Sequence, residues 1–570
     1  MTNPTAVPGQ EDDHIWRWPA RHPYWTLTLV VLAALVPFLA KPFNIDEPLF
    51  LWTARQIQAH PGNPYGFSVN WYGGPMPMWD VTKNPPLGAY YLALGAKIFG
   101  WSEIGLHTAF LLPALAAAFG IYRLARRFCQ WPLLATLVTL FTPAFFVSAT
   151  SVMCDVMMLA FWVWAMELWL SGMKQEHPWK LTAAGLLIGL AALTKYYGGC
   201  LILLLAAGTL IKKRRLGWWA IRLLIPVLML YVYQLATVLL YGHPLFASAA
   251  DYTQFVRGQS DLPRTATILA GFTFTGGCLA AAFFFAPLLW RTRLMAIFAV
   301  VIVLFFALAF IVGTVTKKYD PLQTVGGSLE VQIIFWFIAG AWVLALAFAD
   351  LAVRRDADSA LLNLWVFGTF VFAVFVNWIT NSRSLLPMVP AVGILVVRSL
   401  ERTVLAGRSR WPVSVWVCLL AGAGVGWMTA RAEYQIARAD RDCAQHVWAK
   451  YGHDGKRLWF EGHWGFQYYL QGLGGTPVDV MHSPVAPGDH LAIPSNNSNV
   501  FRPDPNKVTL RETFSAPGPA WLTTWNVTVG AAFHASVRGP VPFYIGSSPP
   551  ESVTVFDIGH APATKPAKPG

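Results

Sequence analysis

Thr26-Leu27-Thr28-Leu29-Val30-Val31-Leu32-Ala33-Ala34-Leu35-Val36-Pro37-Phe38-Leu39-Ala40 carries no charge, and six residues beyond it Asp46 and Glu47 stand side by side. About 60 residues of polar, Trp- and Pro-rich chain follow before the next apolar run. An uncharged run of this kind reads as a membrane helix. Acids beside a bilayer cost free energy unless they are paired or used. The pair therefore marks a wet site at the lipid–water boundary.

Similar runs recur at roughly 105–122, 131–150, 155–172, 181–195, 197–211, 218–241, 265–289, 294–313, 331–349, 361–380, 384–400 and 412–430. Backbone in lipid must satisfy its own hydrogen bonds, so these runs are helices. The expectation is a polytopic α-helical membrane protein with about 13 transmembrane helices. Composition agrees. Of 570 residues, 55% are hydrophobic and only 12% charged, about half the usual charged fraction, and mean hydropathy is +0.46. The 27 Trp and 18 Tyr suit belts at headgroup level.

The net charge of +13 does not imply nucleic acid, because the basic residues sit in short loops between apolar runs. One set of loops holds Arg123, Arg126 and Arg127, then Lys212 to Arg215, Arg291 and Arg293, Arg354 and Arg355, and Arg402, Arg408 and Arg410, with Arg17 and Arg21 in the N-terminal tail. That side is cytoplasmic by the positive-inside rule. The other side receives Asp46, Glu47, Lys83, Asp155, Lys195, His243, Asp251, Lys317, Lys318 and Arg383. The six cysteines are scattered in mostly apolar surroundings and read as small core residues.

This divides the chain into a cytoplasmic tail over 1–25, a transmembrane domain over 26–430 with its first outer loop at 41–104, an extracytoplasmic α/β domain over 431–558, and a disordered tail over 559–570. The stretch from Arg431 to about Trp448 predicts a helix leading out of the membrane. Alternating segments at Arg457–Glu461 and Val508–Arg511 predict strands. The aromatic residues of this region suit either a sugar or an ordinary core.

Four polar constellations interrupt the pattern. From Pro48, residues Leu51, Ala54 and Ile57 share one helical face, with Asp46 at a cap position. Asp46 is thus either a helix cap or a functional acid. The loop closes with Lys83-Asn84-Pro85-Pro86, either a rigid turn or a cation held near a lipid phosphate. Asp155 stands where one apolar run ends and the next begins, with no long stem to reach water. Lys195 lies at the equivalent depth, either snorkelling or bound to an anion.

Taken in order, these pieces resemble the GT-C superfamily of membrane glycosyltransferases. The similarity is greatest to the glycosyltransferase family 39 and protein-mannosyltransferase-like group, which includes lipid A aminoarabinose transferases and rhizobial lipopolysaccharide core transferases. The resemblance rests on Asp46-Glu47, Asn84-Pro85-Pro86-Leu87, Asp155, the Gly189–Lys195 stretch ending Leu-Thr-Lys, Tyr241-Gly242-His243-Pro244-Leu245, Arg383 through Pro390, and Gly462-His463-Trp464-Gly465. It implies a GT-C fold and an inner-membrane enzyme that moves one sugar from a polyprenyl-phosphate carrier to a glycan, lipid or protein acceptor on the extracytoplasmic side. Asp46, Glu47 and Asp155 would be catalytic. Arg55, Lys83, Asn84, Lys195, Tyr196, His243 and Arg383 would bind substrate and phosphate. Many relatives carry His or Lys directly before the Pro-Pro pair, whereas this chain has Asn84 with Lys83 one residue earlier, which leaves open which of the two meets phosphate. No cofactor is expected and no metal site, although the three acids could hold a divalent ion. The rival readings are a transporter or flippase of lipid-linked sugars and a non-catalytic glycan-binding subunit.

Overall fold

Residues 19, 21–259, 263–289, 292–311, 327–404, 413–501 and 503–559 are described by the structure, a computed structural model. Most of the expected N-terminal tail, all but residue 559 of the expected disordered tail, and Arg17, Arg291, Lys317, Lys318, Arg408 and Arg410 lie outside the described residues.

Each apolar run falls on a helix, and the chain is a polytopic helical protein with a β-rich C-terminal region. Among the described residues eight helices are long and apolar enough to cross a bilayer, and up to ten spans result if two bent pairs are counted. The count of 13 is not reached by this measure. The run at 131–150 is Pro132–Leu140 bent by 68° against Pro143–Ala149, and the run at 265–289 breaks by 73° after Cys278. Pro143 accounts for the first bend, since it has no N–H to continue the helix. Pro23–Phe38 and Pro178–Thr194 are shorter than a full span. The helix Ser382–Thr403 is almost wholly enclosed by its neighbours, in keeping with a sequence apolar all round its upper turns.

The first outer loop folds onto this bundle. It holds the helices Glu47–Ala59, Met78–Val81 and Leu87–Phe99 and a hairpin pairing Ser68–Asn70 with Pro75–Pro77. Ile45, Leu49, Trp71 and Met78 share a core with Ile436, Trp464 and Trp525 from the C-terminal region. Gly465 shows how close the two parts come. Its N–H donates to Asn44 Oδ1 at 3.0 Å, and a Cβ there would lie 2.6 Å from the Phe43 carbonyl oxygen.

The helix expected from Arg431 is the second half of one continuous helix, Val413–Tyr451. Beyond it stands a five-stranded sheet in the order Thr476–Pro477, Leu458–Phe460, His490–Pro494, Glu551–Ile558, Val508–Ala516. Leu458–Phe460 pairs in parallel with both neighbours and the remaining pairings are antiparallel. Val553 and Val555 alternate inward and pack with Ala439, Cys443 and Val447 of the long helix. The segment 522–545 turns back to the bundle, where Leu522, Phe533 and Phe543 join the largest core. The C-terminal region is therefore anchored to the membrane helices by its own apolar side chains.

Candidate active site

Asp46 occupies the N-cap position of Glu47–Ala59, yet its side chain caps nothing. Its Oδ2 accepts from Arg383 Nη2 at 2.8 Å. The preceding residue explains the orientation. Ile45 has a φ of 53°, a left-handed conformation that a β-branched residue adopts only at a cost. Ile45 is held there by burial, and the turn carries Asp46 out toward Arg383.

Arg383 sits on the short helix Ser382–Leu385, which Asn381 and Ser384 fix through a capping box. Its Nη1 lies 3.4 Å from Met153 Sδ, and its Nε is buried with no hydrogen-bond partner among the described residues. The Arg383 charge acts on Asp155 as well as on Asp46.

Asp155 opens the helix Asp155–Gln175 and is 1% exposed. Its Oδ1 accepts from Lys195 Nζ at 2.6 Å. Lys195 has extended backbone between Pro178–Thr194 and the short turn Tyr196–Gly199, so the break in the helix directs its ammonium inward. It does not merely snorkel. Four charges of alternating sign, Asp46, Arg383, Asp155 and Lys195, thus gather from four separate parts of the chain.

Glu47 is placed differently from its neighbour. It is 1% exposed, and its two oxygens accept from the backbone N–H groups of Asn44 at 2.7 Å and Val152 at 3.0 Å. Lys41 Nζ stands 3.9 Å away and donates to the Thr150 carbonyl. Glu47 ties the first loop to the turn before Asp155. Both of its oxygens are thereby engaged by backbone donors.

The other expected residues have partners of their own. Lys83 bonds to Asp80 and lies 4.8 Å above the Tyr252 ring. Asn84 accepts through its carbonyl from Tyr65 Oη at 2.8 Å, and its Oδ1 faces Cys154 Sγ at 3.9 Å, next to Asp155. His243 stacks on Trp79 at 4.6 Å. Tyr196 and Tyr233 join through their hydroxyls at 3.0 Å. Arg55 points away, over the Trp101 ring at 4.8 Å.

His463 belongs to this site although its motif alone did not mark it as a site residue. It stacks on Trp71 at 4.8 Å, and its Nε2 is buried without a partner among the described residues. Burial pulls its imidazole down to about 4, with Asp46 acting in the opposite sense. His463 is therefore neutral at ordinary pH and can accept a hydrogen bond. Next to it Trp464 has a φ of 60°, a second strained residue beside the site. His534 Nε2 lies 3.1 Å from both oxygens of Glu433. Sequence offers no signal for that pair, since 101 residues separate its members.

Among the described residues no group of three or more His, Cys, Asp or Glu side chains gathers as a metal site would require. Asp46 and Asp155 each face a cation instead.

No match is found among curated protein sequences. The chain is similar in structure to ArnT from Cupriavidus metallidurans bound to undecaprenyl phosphate, at 15% identity and a TM-score of 0.46, over 84% of this chain and 93% of that one. It is also similar to the Archaeoglobus fulgidus oligosaccharyltransferase in its apo form, at 12% identity and a TM-score of 0.48, over 84% of this chain and 70% of that one. Residues 83–249, which include Lys83, Asn84, Asp155, Lys195, Tyr196 and His243, match the family model of the dolichyl-phosphate-mannose-protein mannosyltransferases. Through that stretch the chain is similar to the GT-C membrane glycosyltransferases that its sequence motifs resemble.

Proposed function

We propose that this protein transfers a sugar from a polyprenyl-phosphate carrier to an envelope acceptor, a glycolipid, polysaccharide or protein, at the membrane face where Asp46 and Asp155 lie. One observation carries the reading. Two acids are each held by a cation within 2.8 Å, and the Arg383 charge acts on both acids. A phosphate group brought to Arg383 and Lys195 would be bound by the same side chains that hold the acids.

The chemistry follows from these partners. The donor phosphate draws Arg383, whose planar fork suits phosphate, away from Asp46. The freed Asp46 carboxylate accepts the proton of the acceptor hydroxyl. The acceptor oxygen forms a bond to the anomeric carbon as the bond from that carbon to the phosphate oxygen breaks, and the electron pair leaves with the carrier phosphate. Lys195 and Arg383 stabilise that charge. Asp155 stabilises the oxocarbenium-like centre. A general base of this kind contributes roughly 10²–10⁴-fold. Direct displacement inverts the anomeric configuration. The reading needs no metal, and activity abolished by EDTA and restored by Mn²⁺ or Mg²⁺ would contradict that part of it.

The test is sugar transfer by the purified full-length protein from a polyprenyl-phosphate donor labelled in the sugar. Label should leave the carrier, and free polyprenyl phosphate should accumulate with it. Movement of intact labelled donor across vesicle membranes, with no sugar released, would instead identify a transporter.

A further inference from the structure

A cavity of about 670 Å³ lies away from the four charges. It is lined by six basic side chains, Arg123, Arg126, Arg127, Lys174, Lys212 and Lys213. Its position follows from chain direction. Asp155 opens a 21-residue helix, about 31 Å long at 1.5 Å per residue, and Lys174 lies in its last turn. Lys195 precedes the helix Cys200–Lys213, which ends in Lys212 and Lys213. Arg123 is likewise in the last turn of Glu103–Ala125. The cavity is thus at the opposite end of the bundle from Asp155 and Lys195, outside the site already described.

Two carboxylates line it, and both are committed. Glu167 is buried and accepts from Arg127 at 2.8 Å, with Arg123 at 3.6 Å. Asp358 pairs with Lys212 at 3.0 Å. Arg126, Lys174 and Lys213 have no carboxylate partner among the described residues, and the buried Arg127 Nε lacks any hydrogen-bond partner. Cations converging on a concave site with so few acids repel one another unless an anion shares them.

The surroundings decide which anion. At this same end Trp179 is 75% exposed and Trp218 86% exposed, the position of tryptophans at headgroup level. Leu210 and Ile211, in the same turn as Lys212, are also exposed, an apolar rim beside the charged cavity. Basic pockets between membrane helices at this depth suit lipid phosphates. We propose that the cavity walled by Arg126, Arg127, Lys174 and Lys213 binds the phosphate headgroup of an anionic membrane phospholipid in the leaflet opposite the sugar-transfer site, with its acyl chains along the exposed face of Cys200–Lys213.

The experiment uses delipidated full-length protein in detergent, mixed with phosphatidylglycerol or phosphatidylcholine of matched chains, with bound lipid counted by native mass spectrometry. Phosphatidylglycerol should bind in preference. The Arg126→Gln/Lys213→Gln variant should weaken that binding about thirtyfold, from the loss of two surface cations. The charge-preserving Arg126→Lys/Lys213→Arg variant should retain it. Equal binding of the two lipids, or unchanged phosphatidylglycerol binding by the Gln variant, overturns the proposal. Displacement by millimolar inorganic phosphate as complete as by excess phosphatidylglycerol overturns it too, because the ligand would then be a soluble anion. Should the Gln variant not purify as a single species, salt decides on the parent protein: affinity lost on raising NaCl to about 0.5 M supports the site, and affinity unchanged overturns it.

Discussion

Arg383 Nη2 donates to Asp46 Oδ2 at 2.8 Å across 337 residues of sequence. The contact joins the first outer loop to the start of a late helix, and it makes the two side chains energetically one unit. Arg383→Gln and Asp46→Asn should each lower sugar transfer by at least about 10²-fold. The double variant should lose little more than either single one, because contacting residues are not additive. A double-mutant cycle on initial rates measures this. Fully multiplicative losses would show that the two act separately.

Glu47 predicts a different phenotype from its neighbour. Glu47→Gln sets an amide nitrogen against one of the N–H groups of Asn44 or Val152. The cost is about 1–3 kcal/mol for a buried donor left unpaired. Thermal unfolding in detergent should shift downward, while the protein that remains folded keeps a substantial share of its turnover. Turnover lost with unchanged melting would make Glu47 a direct participant.

Glu461 introduces a pH dependence. Burial pushes its carboxyl up to about 7 against an ordinary 4.5, although the Phe501 N–H bond favours the charged form. Because the folded value is raised, Glu461 contributes stability that is fully present below about 4.5 and lost as pH rises through about 7. Glu461→Gln should therefore melt above the parent at pH 8 and close to it at pH 4.5. A gap that does not widen with pH contradicts this.

Gly465 tests the docking of the C-terminal region. In Gly465→Ala the new methyl meets the Phe43 carbonyl oxygen at 2.6 Å. The strain of about 1–3 kcal/mol falls on the loop that carries Asp46. Melting temperature and turnover should drop together, and the first loop should become easier to cleave by protease. An alanine variant with parent stability would show that the two parts are not pressed together there.

The helices were legible because bilayer-length apolar runs leave little choice of structure, and alternation marked Arg457–Glu461 and Val508–Arg511, which overlap the strands Leu458–Phe460 and Val508–Ala516. The number of full spans was not, because bends after Leu140 and Cys278 break two apolar runs and others, such as Pro23–Phe38 and Pro178–Thr194, form helices shorter than a span. At the site, Asp155 and Lys195 stood out as charges inside apolar runs, and the structure brings them to 2.6 Å. Asp46 and Glu47 were indistinguishable as neighbours. What separates them is the strained turn at Ile45 and the N–H of Val152, both set by tertiary packing. Arg55 read as an available cation because sequence does not show that Trp101 engages it. His463 lay within a quoted motif, but its nearness to Asp46 depends on the docking of two parts far apart in the chain.

The most direct measurement is the rate of labelled-sugar transfer by Asp46→Asn and Asp155→Asn beside the parent, with donor binding measured on the same preparations. Both variants should insert, bind donor and lose at least about 10²-fold in rate. Transfer by both at near the parent rate would contradict this.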